Sequence, residues 1–188
     1  METTDITAFN AILGRRSIRR YQEDRPVERE KIIQLLEAAM AAPSACNIQP
    51  WEFIVLAEPD LREQVKASIP QFGNYNAPLV IVVCSMSEFI PWDNDNGVVD
   101  CCAATENMLI AATALGLGSV WVGGFEAEPI RKILDIPSKI HVQAVVYLGY
   151  PAEQPEPRTK YLEAAVYWGK YDPQREHHPR PGNLIFPT

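Results

Sequence analysis

Arg15-Arg16-Ser17-Ile18-Arg19-Arg20-Tyr21 places four guanidinium groups and a hydroxyl within six positions of a chain whose formal net charge is −7. Arginine offers a rigid fork of donors matched to phosphate oxygens, and the serine hydroxyl adds a shorter-range contact. Gly14, immediately before the cluster, is a helix stop. It puts the arginines on a turn, where backbone N–H groups can also face an anion. A solvated basic patch accounts for these seven residues equally well. The rest of the chain decides between the two.

At 188 residues, with 47% hydrophobic and 22% charged residues, the chain has an ordinary globular composition and is long enough to bury a core. Its acidic balance argues against nucleic acid or an anionic membrane as the main partner. Clustered arginines in an acidic chain point instead to one small anionic ligand. The first thirty residues hold no hydrophobic signal core, because Asp5, Asn10 and the arginines interrupt each apolar run. Residues 98–118 form the longest apolar region, but Asp100, Glu106 and Asn107 lie within it. A buried helix accounts for it better than a membrane span. Cys46, Cys84, Cys101 and Cys102 have no metal-ligand spacing, and adjacent Cys101 and Cys102 are poor disulfide partners for each other. Reduced thiols in a cytoplasmic protein are expected.

Upstream of the cluster, residues 4–13 read as a short helix capped by Thr4 or Asp5, with Ile6, Phe9 and Leu13 on one face. Downstream, residues 28–42 form the clearest amphipathic helix. Ile32, Leu35, Leu36, Ala39 and Met40 recur at helical spacing, and Pro43 ends the run. Trp51 to Leu56 predicts a strand, and residues 59–68 a short helix. Leu79 to Cys84 is a continuous apolar run typical of a central strand buried on both faces. Residues 89–97 read as a polar loop. The stretch 98–115 is apolar on nearly every side, so a helix buried between layers or subunits is expected. Residues 119–123 and 141–150 read as strands, and 129–134 as a short helix.

Beyond Pro151 the composition changes. Residues 153–157 are proline-rich and extended. Residues 170–188 carry Pro173, Pro179, Pro181 and Pro187 and little that could form a core. Ile185 and Phe186 favour a tail wrapped on a partner over a free one. The expected organisation is one domain over residues 1–169 with an extended tail over 170–188. No internal repeat is visible.

Three separated stretches now read together: the arginine cluster, Ala42-Pro43-Ser44-Ala45-Cys46-Asn47-Ile48-Gln49-Pro50-Trp51, and Gly116-Leu117-Gly118-Ser119-Val120-Trp121-Val122-Gly123-Gly124-Phe125. With Gly149-Tyr150-Pro151 and Pro157-Arg158-Thr159-Lys160 following in order, the chain closely resembles the nitroreductase family of FMN-dependent oxidoreductases. The matches extend from residue 11 to about 168, and their combination is specific.

The resemblance implies that Arg15, Arg16, Ser17 and Arg19 hold FMN, Arg15 and Ser17 toward the phosphate and ribityl chain. It sets Arg19 at the N1 and C2-carbonyl edge, where a fixed cation stabilises the negative charge of reduced flavin. Arg158 and Lys160 match the family's late basic pair on the phosphate. Pro43, Ser44, Ala45, Asn47 and Gln49 match the segment that reaches the flavin of the other subunit. The backbone of Trp121, Val122, Gly123 and Gly124 matches the segment near N5 and O4, where glycine allows close approach. Tyr21 stands where Phe is common, a change of little expected consequence. The compact segment 70–93 has no clear match for the Asn and Lys that longer members place on the flavin, leaving Gln71 or Asn74 to substitute.

Each motif also has a plainer reading. Pro43 to Pro50 alone is a helix stop and a loop. Gly116-Leu117-Gly118 is no dinucleotide loop, because it follows a helix and lacks the third glycine. Trp121 is equally well a core residue. Cys46 reads as a small buried thiol rather than a nucleophile. His177 and His178 have no companions at ligand spacing, so no metal site is expected, and His141 reads as structural.

Strand–helix alternation alone also permits a doubly wound parallel sheet. The family resemblance implies instead an α+β fold: a mostly antiparallel sheet of four or five strands with helices on both faces, in an intertwined homodimer with two interface FMN sites. It further implies ping-pong hydride transfer from NADH or NADPH to nitroaromatics or quinones, with no side chain required as nucleophile. Two alternatives stay open. One is another reaction on the same scaffold, such as reductive dehalogenation or flavin fragmentation. The other is a flavin-binding carrier or sensor without turnover.

Overall fold

The structure, a computed structural model, describes residues 7–71, 75–86, 96–156 and 161–175. The chain divides into two compact units, Met1–Pro155 and Glu156–Thr188. The first holds every α-helix and strand among the described residues: α1 (Ala8–Gly14), α2 (Arg29–Met40), β1 (Trp51–Leu56), α3 (Pro59–Ala67), β2 (Leu79–Met86), α4 (Asn96–Ala114), β3 (Gly118–Val122), α5 (Ala127–Ile133) and β4 (Ile140–Gly149). The strands form one sheet in the order β1-β2-β4-β3, and every adjacent pair is antiparallel. The α+β expectation holds, and the parallel alternative is excluded.

The sheet separates two cores. On one face Leu79, Ile81 and Val83 of β2 and Ala144, Val146 and Leu148 of β4 meet Leu35 and Ala39 of α2 and Cys101, Ala104, Met108 and Ala112 of α4. On the other, Val80, Val82, Val145 and Tyr147 meet Val65 of α3 and Ile130 of α5. β2 is therefore apolar throughout because both of its faces are covered. Each fully buried aliphatic side chain in it contributes about 1.5–3 kcal/mol of transfer free energy. The β2–β4 register shifts between Val83 and Cys84, where Gln143 is the extra residue on β4. Its amide Nε2 donates to Ser85 Oγ at 2.7 Å, and the bulge puts Val142 and Val145 against the same core.

Helix ends differ slightly from the sequence reading. Thr7 caps α1, its hydroxyl accepting the Asn10 N–H at 3.3 Å, while Thr4 and Asp5 lie outside the described residues. α4 buries Asp100, Cys101, Ala104, Thr105, Met108, Leu109 and Ala112. The same unit leaves Phe9, Ile12 and Leu13 of α1 and Val98 and Val99 of α4 exposed. In the second unit, Glu163 accepts from Trp168 Nε1 at 3.1 Å and from Tyr161, and Arg175 stacks on Tyr167.

Candidate functional site

The arginine stretch is not a turn. α1 does stop at Gly14, but Arg15 is extended (φ −57°, ψ 130°), and the chain then runs along the sheet. Ser17 bridges Ser119 of β3, and Tyr21 bridges Pro151 beyond β4. The Ile18 N–H donates to the Ser119 carbonyl, the Gln22 N–H to the Tyr150 carbonyl and the Ala152 N–H to the Arg20 carbonyl, each at 2.9 Å. Two glycines explain the straight path. Gly118 and Gly149 are cross-strand partners. A Cβ on Gly118 would lie 2.8 Å from the Ile18 side chain, and one on Gly149 would lie 2.5 Å from Pro78 Cδ and 3.1 Å from Tyr21 Cδ1. Ile18 and Tyr21 are buried against the sheet, while Arg19 and Arg20 between them are exposed.

Backbone N–H groups here do face an anion, and it belongs to the chain itself. Glu153 Oε1 accepts from the Arg19 N–H at 2.6 Å and the Arg20 N–H at 3.2 Å. Among the side chains, Arg15 Nε lies 3.4 Å from Glu106 Oε1. Arg16 Nη1 donates to the carbonyls of Leu13 (2.8 Å) and Arg15 (2.5 Å), and Arg19 Nη1 to that of Ser17 (3.2 Å). Four guanidinium groups against two carboxylates leave a local excess of positive charge. Each guanidinium carries five N–H donors, so capacity for an added phosphate remains. Ser119 Oγ, buried beside Ser17, has no hydrogen-bond partner among the described residues.

The segment after Pro43 forms a tight turn around Ala45–Asn47. Cys46, Asn47 and Gln49 all have positive φ (51°, 56° and 52°), conformations that cost a non-glycine residue about 1–3 kcal/mol each. Several contacts hold the turn. The Gln49 N–H donates to Ser44 Oγ at 2.9 Å, Gln49 Nε2 to Asn47 Oδ1 at 2.8 Å, and the Ala45 N–H to Asp100 Oδ1 at 3.1 Å. Asp100 is buried, and its other oxygen has no partner among the described residues. Sequence reasoning used Asp100 only against a membrane span. Its place as an acid in an apolar run was the available signal. Cys46 is exposed at the turn, which corrects the buried-thiol expectation: three left-handed residues lift this backbone away from the core.

At the end of β3, Trp121 is half-buried against the α2–α4 core, whereas Val122 is buried on the other face. Val122 therefore offers only its backbone to a ligand. Gly123 and Gly124 are exposed. Among the described residues, a Cβ on Gly123 would meet only Trp121 Nε1, at 3.9 Å, so their packing does not require glycine there.

The buried thiols are poor nucleophiles. Burial pushes Cys84 and Cys101 up to about 12, and Cys101 Sγ donates to the Cys84 carbonyl at 3.5 Å. Burial likewise raises the Tyr21 and Tyr147 phenols far above their ordinary range.

One chain does not bring all these segments together. The turn at 44–49 precedes β1 and the arginine stretch flanks β3, at opposite edges of the sheet. Three strand spacings separate those edges, about 14 Å. Both segments touch α4, through Asp100 and Glu106, roughly 9 Å apart along the helix axis. Arg158, Lys160 and Asn74 lie outside the described residues. Gln71 is exposed just after α3.

Known proteins resemble this chain along most of its length. The family model described as "Nitroreductase family" matches residues 12–77 and 69–150. A candidate NADH dehydrogenase/NAD(P)H nitroreductase of Archaeoglobus fulgidus is 41% identical over 88% of this chain and 94% of its own length. A crystal structure from Desulfovibrio desulfuricans, solved in complex with FMN, superposes with a TM-score of 0.80 at 30% identity, over 90% of this chain and 100% of that one. An FMN-dependent nitroreductase of Clostridium difficile gives 0.75 at 30% identity, over 87% and 99%. With its single antiparallel sheet, its arginine stretch along β3 and these relatives, the chain belongs to the nitroreductase family.

Proposed function

We propose that this protein is an FMN-dependent oxidoreductase, taking hydride from NADH or NADPH and passing it to nitroaromatic, quinone or similar acceptors in a ping-pong sequence. One observation carries the reading. The arginine stretch and the strained turn lie at opposite edges of one sheet, each with spare hydrogen-bonding capacity, so two copies set edge to edge would complete two equal sites. The exposed apolar side chains of α1 and α4 support such pairing. In the homodimer, residues 1–169 act as the FMN-binding domain, and the tail over 170–188 wraps the partner. No helix among the described residues is long and apolar enough to cross a membrane, which accords with a cytoplasmic enzyme.

The donor set suits FMN. Arg15, Arg16 and Ser17, with Arg158 and Lys160, would hold the phosphate and ribityl chain through charge-assisted bonds. Arg19 would meet the pyrimidine edge. The Trp121–Gly124 backbone, open at Gly123, would let N–H groups approach the ring. Pro43, Ser44, Ala45, Asn47 and Gln49 would face the flavin of the other subunit, the Asn47 and Gln49 amides serving as both donors and acceptors. When bound, the flavin supplies the hydride-accepting ring. The protein contributes position, charge and exclusion of water.

An absorbance spectrum of the purified protein, followed by anaerobic NADH and then NADPH, tests the reading. Flavin bands that bleach are expected. Bands that persist with both nucleotides would favour a carrier, and slow nitro reduction beside fast turnover of a halogenated acceptor would favour dehalogenation. A colourless protein that takes up no FMN would overturn the proposal.

A further inference from the structure

We infer that Glu153 is a positioning residue that aims Arg19 at the flavin, an inference resting on the cofactor reading above. Glu153 follows the Tyr21–Pro151 bridge, far from the cluster in sequence, yet one of its oxygens takes two consecutive N–H groups of that cluster, at 2.6 and 3.2 Å. Two bonds to one acceptor oxygen fix the orientation of both peptide units. They complete a clamp on the backbone around Arg19. Ile18 N–H is held by the Ser119 carbonyl, and Tyr21 exchanges two 2.9 Å bonds with the Asn76 amide.

The Arg19 side chain has much less to direct it. It is exposed, and among the described residues its one side-chain hydrogen bond runs to the Ser17 carbonyl at 3.2 Å. The direction in which its stem leaves the backbone therefore sets where its guanidinium can reach. Among the described residues no ion pair joins Glu153 to that guanidinium, so the carboxylate fixes the backbone while leaving the Arg19 donors free for a ligand. Glu153 thus acts on the cofactor through Arg19, and its acceptor oxygen matters more than its charge.

Two conservative substitutions separate those properties. Glu153→Gln keeps an acceptor at the same reach and loses the charge. Glu153→Asp keeps the charge and withdraws it by about 1.5 Å, one carbon–carbon bond. The readouts are amide exchange at Arg19 and Arg20 in the full-length protein, and the ratio of its affinities for reduced and oxidised FMN. E153D is expected to speed exchange at both amides about tenfold and lower the affinity ratio about fivefold, while E153Q stays within about threefold of wild type in both. In an Arg19→Ala background, E153D should leave the ratio unchanged. E153D with wild-type exchange and ratio, or E153Q losing as much as E153D, would overturn the inference while leaving the flavin reading intact. A wild-type chain that binds no FMN would overturn both.

Discussion

Ile18 occupies the space that a side chain on Gly118 would need: its Cγ1 and Cγ2 lie 2.8 Å from where a Cβ would stand. Of the glycines at the two ends of β3, Gly118 thus serves the fold and Gly123 leaves room for a ligand. Gly118→Ala should destabilise the protein by about 1–3 kcal/mol, because the contact is with a branched, buried side chain that has little room to shift. Gly123→Ala should stay within about 0.5 kcal/mol in the flavin-free protein and weaken FMN binding. Denaturant titration of both variants checks the contrast. Equal stability losses would show that the two positions do the same job.

Asp100 ties the strained 44–49 turn to α4 through a single backbone bond to Ala45. Asp100→Asn keeps an acceptor and removes a buried charge, so it should change stability little. Asp100→Ala leaves the Ala45 N–H unpaired, a loss of about 1–3 kcal/mol at that site. The Ala45 amide should then exchange at least about tenfold faster, with faster proteolysis within 44–49. Wild-type protection at Ala45 in the Ala variant would mean that Ser44 and Gln49 hold the turn unaided.

Tyr21 shows where the sequence reading ran out. It stands in a family position where Phe is common, and nothing in the sequence marks its hydroxyl as consequential. That hydroxyl is buried, donating to the Ile18 carbonyl at 2.5 Å with the Tyr147 carbonyl at 3.2 Å. Tyr21→Phe should cost about 1 kcal/mol in denaturant titration. No measurable loss would show that the hydroxyl is incidental to the fold.

The elements themselves were readable because periodicity reports burial: the run from Leu79 and the amphipathic pattern of α2 reveal which faces are covered. Strand order was not readable, because antiparallel and parallel sheets can bury similar runs, and there the family resemblance decided. The arginines were legible as anion-binding residues. What escaped was long-range pairing. Nothing local in the sequence links Glu153 to Arg19 or Asp100 to Ala45, and nothing local announces the left-handed backbone at Cys46, Asn47 and Gln49 that exposes the Cys46 thiol.

Alkaline pH should destabilise this protein through its buried thiols. Cys84 and Cys101 rise from an ordinary 9.0 to about 12, chiefly because burial penalises the thiolate. Between those values the unfolded chain releases protons that the folded chain retains, so stability falls as pH rises. Their contribution is fully present below pH 9 and is lost toward pH 12, at up to about 1.4 kcal/mol per pH unit for each thiol. The two lie close enough to be treated as a pair. Denaturant midpoints measured from pH 8 to 11 should therefore decline, and a Cys84→Ala, Cys101→Ala double variant should decline less steeply. Below pH 9, a thiol reagent should modify exposed Cys46 readily and reach Cys84 and Cys101 only on unfolding. Rapid labelling of all three in the folded protein would show that the core around α4 opens far more freely than its packing implies.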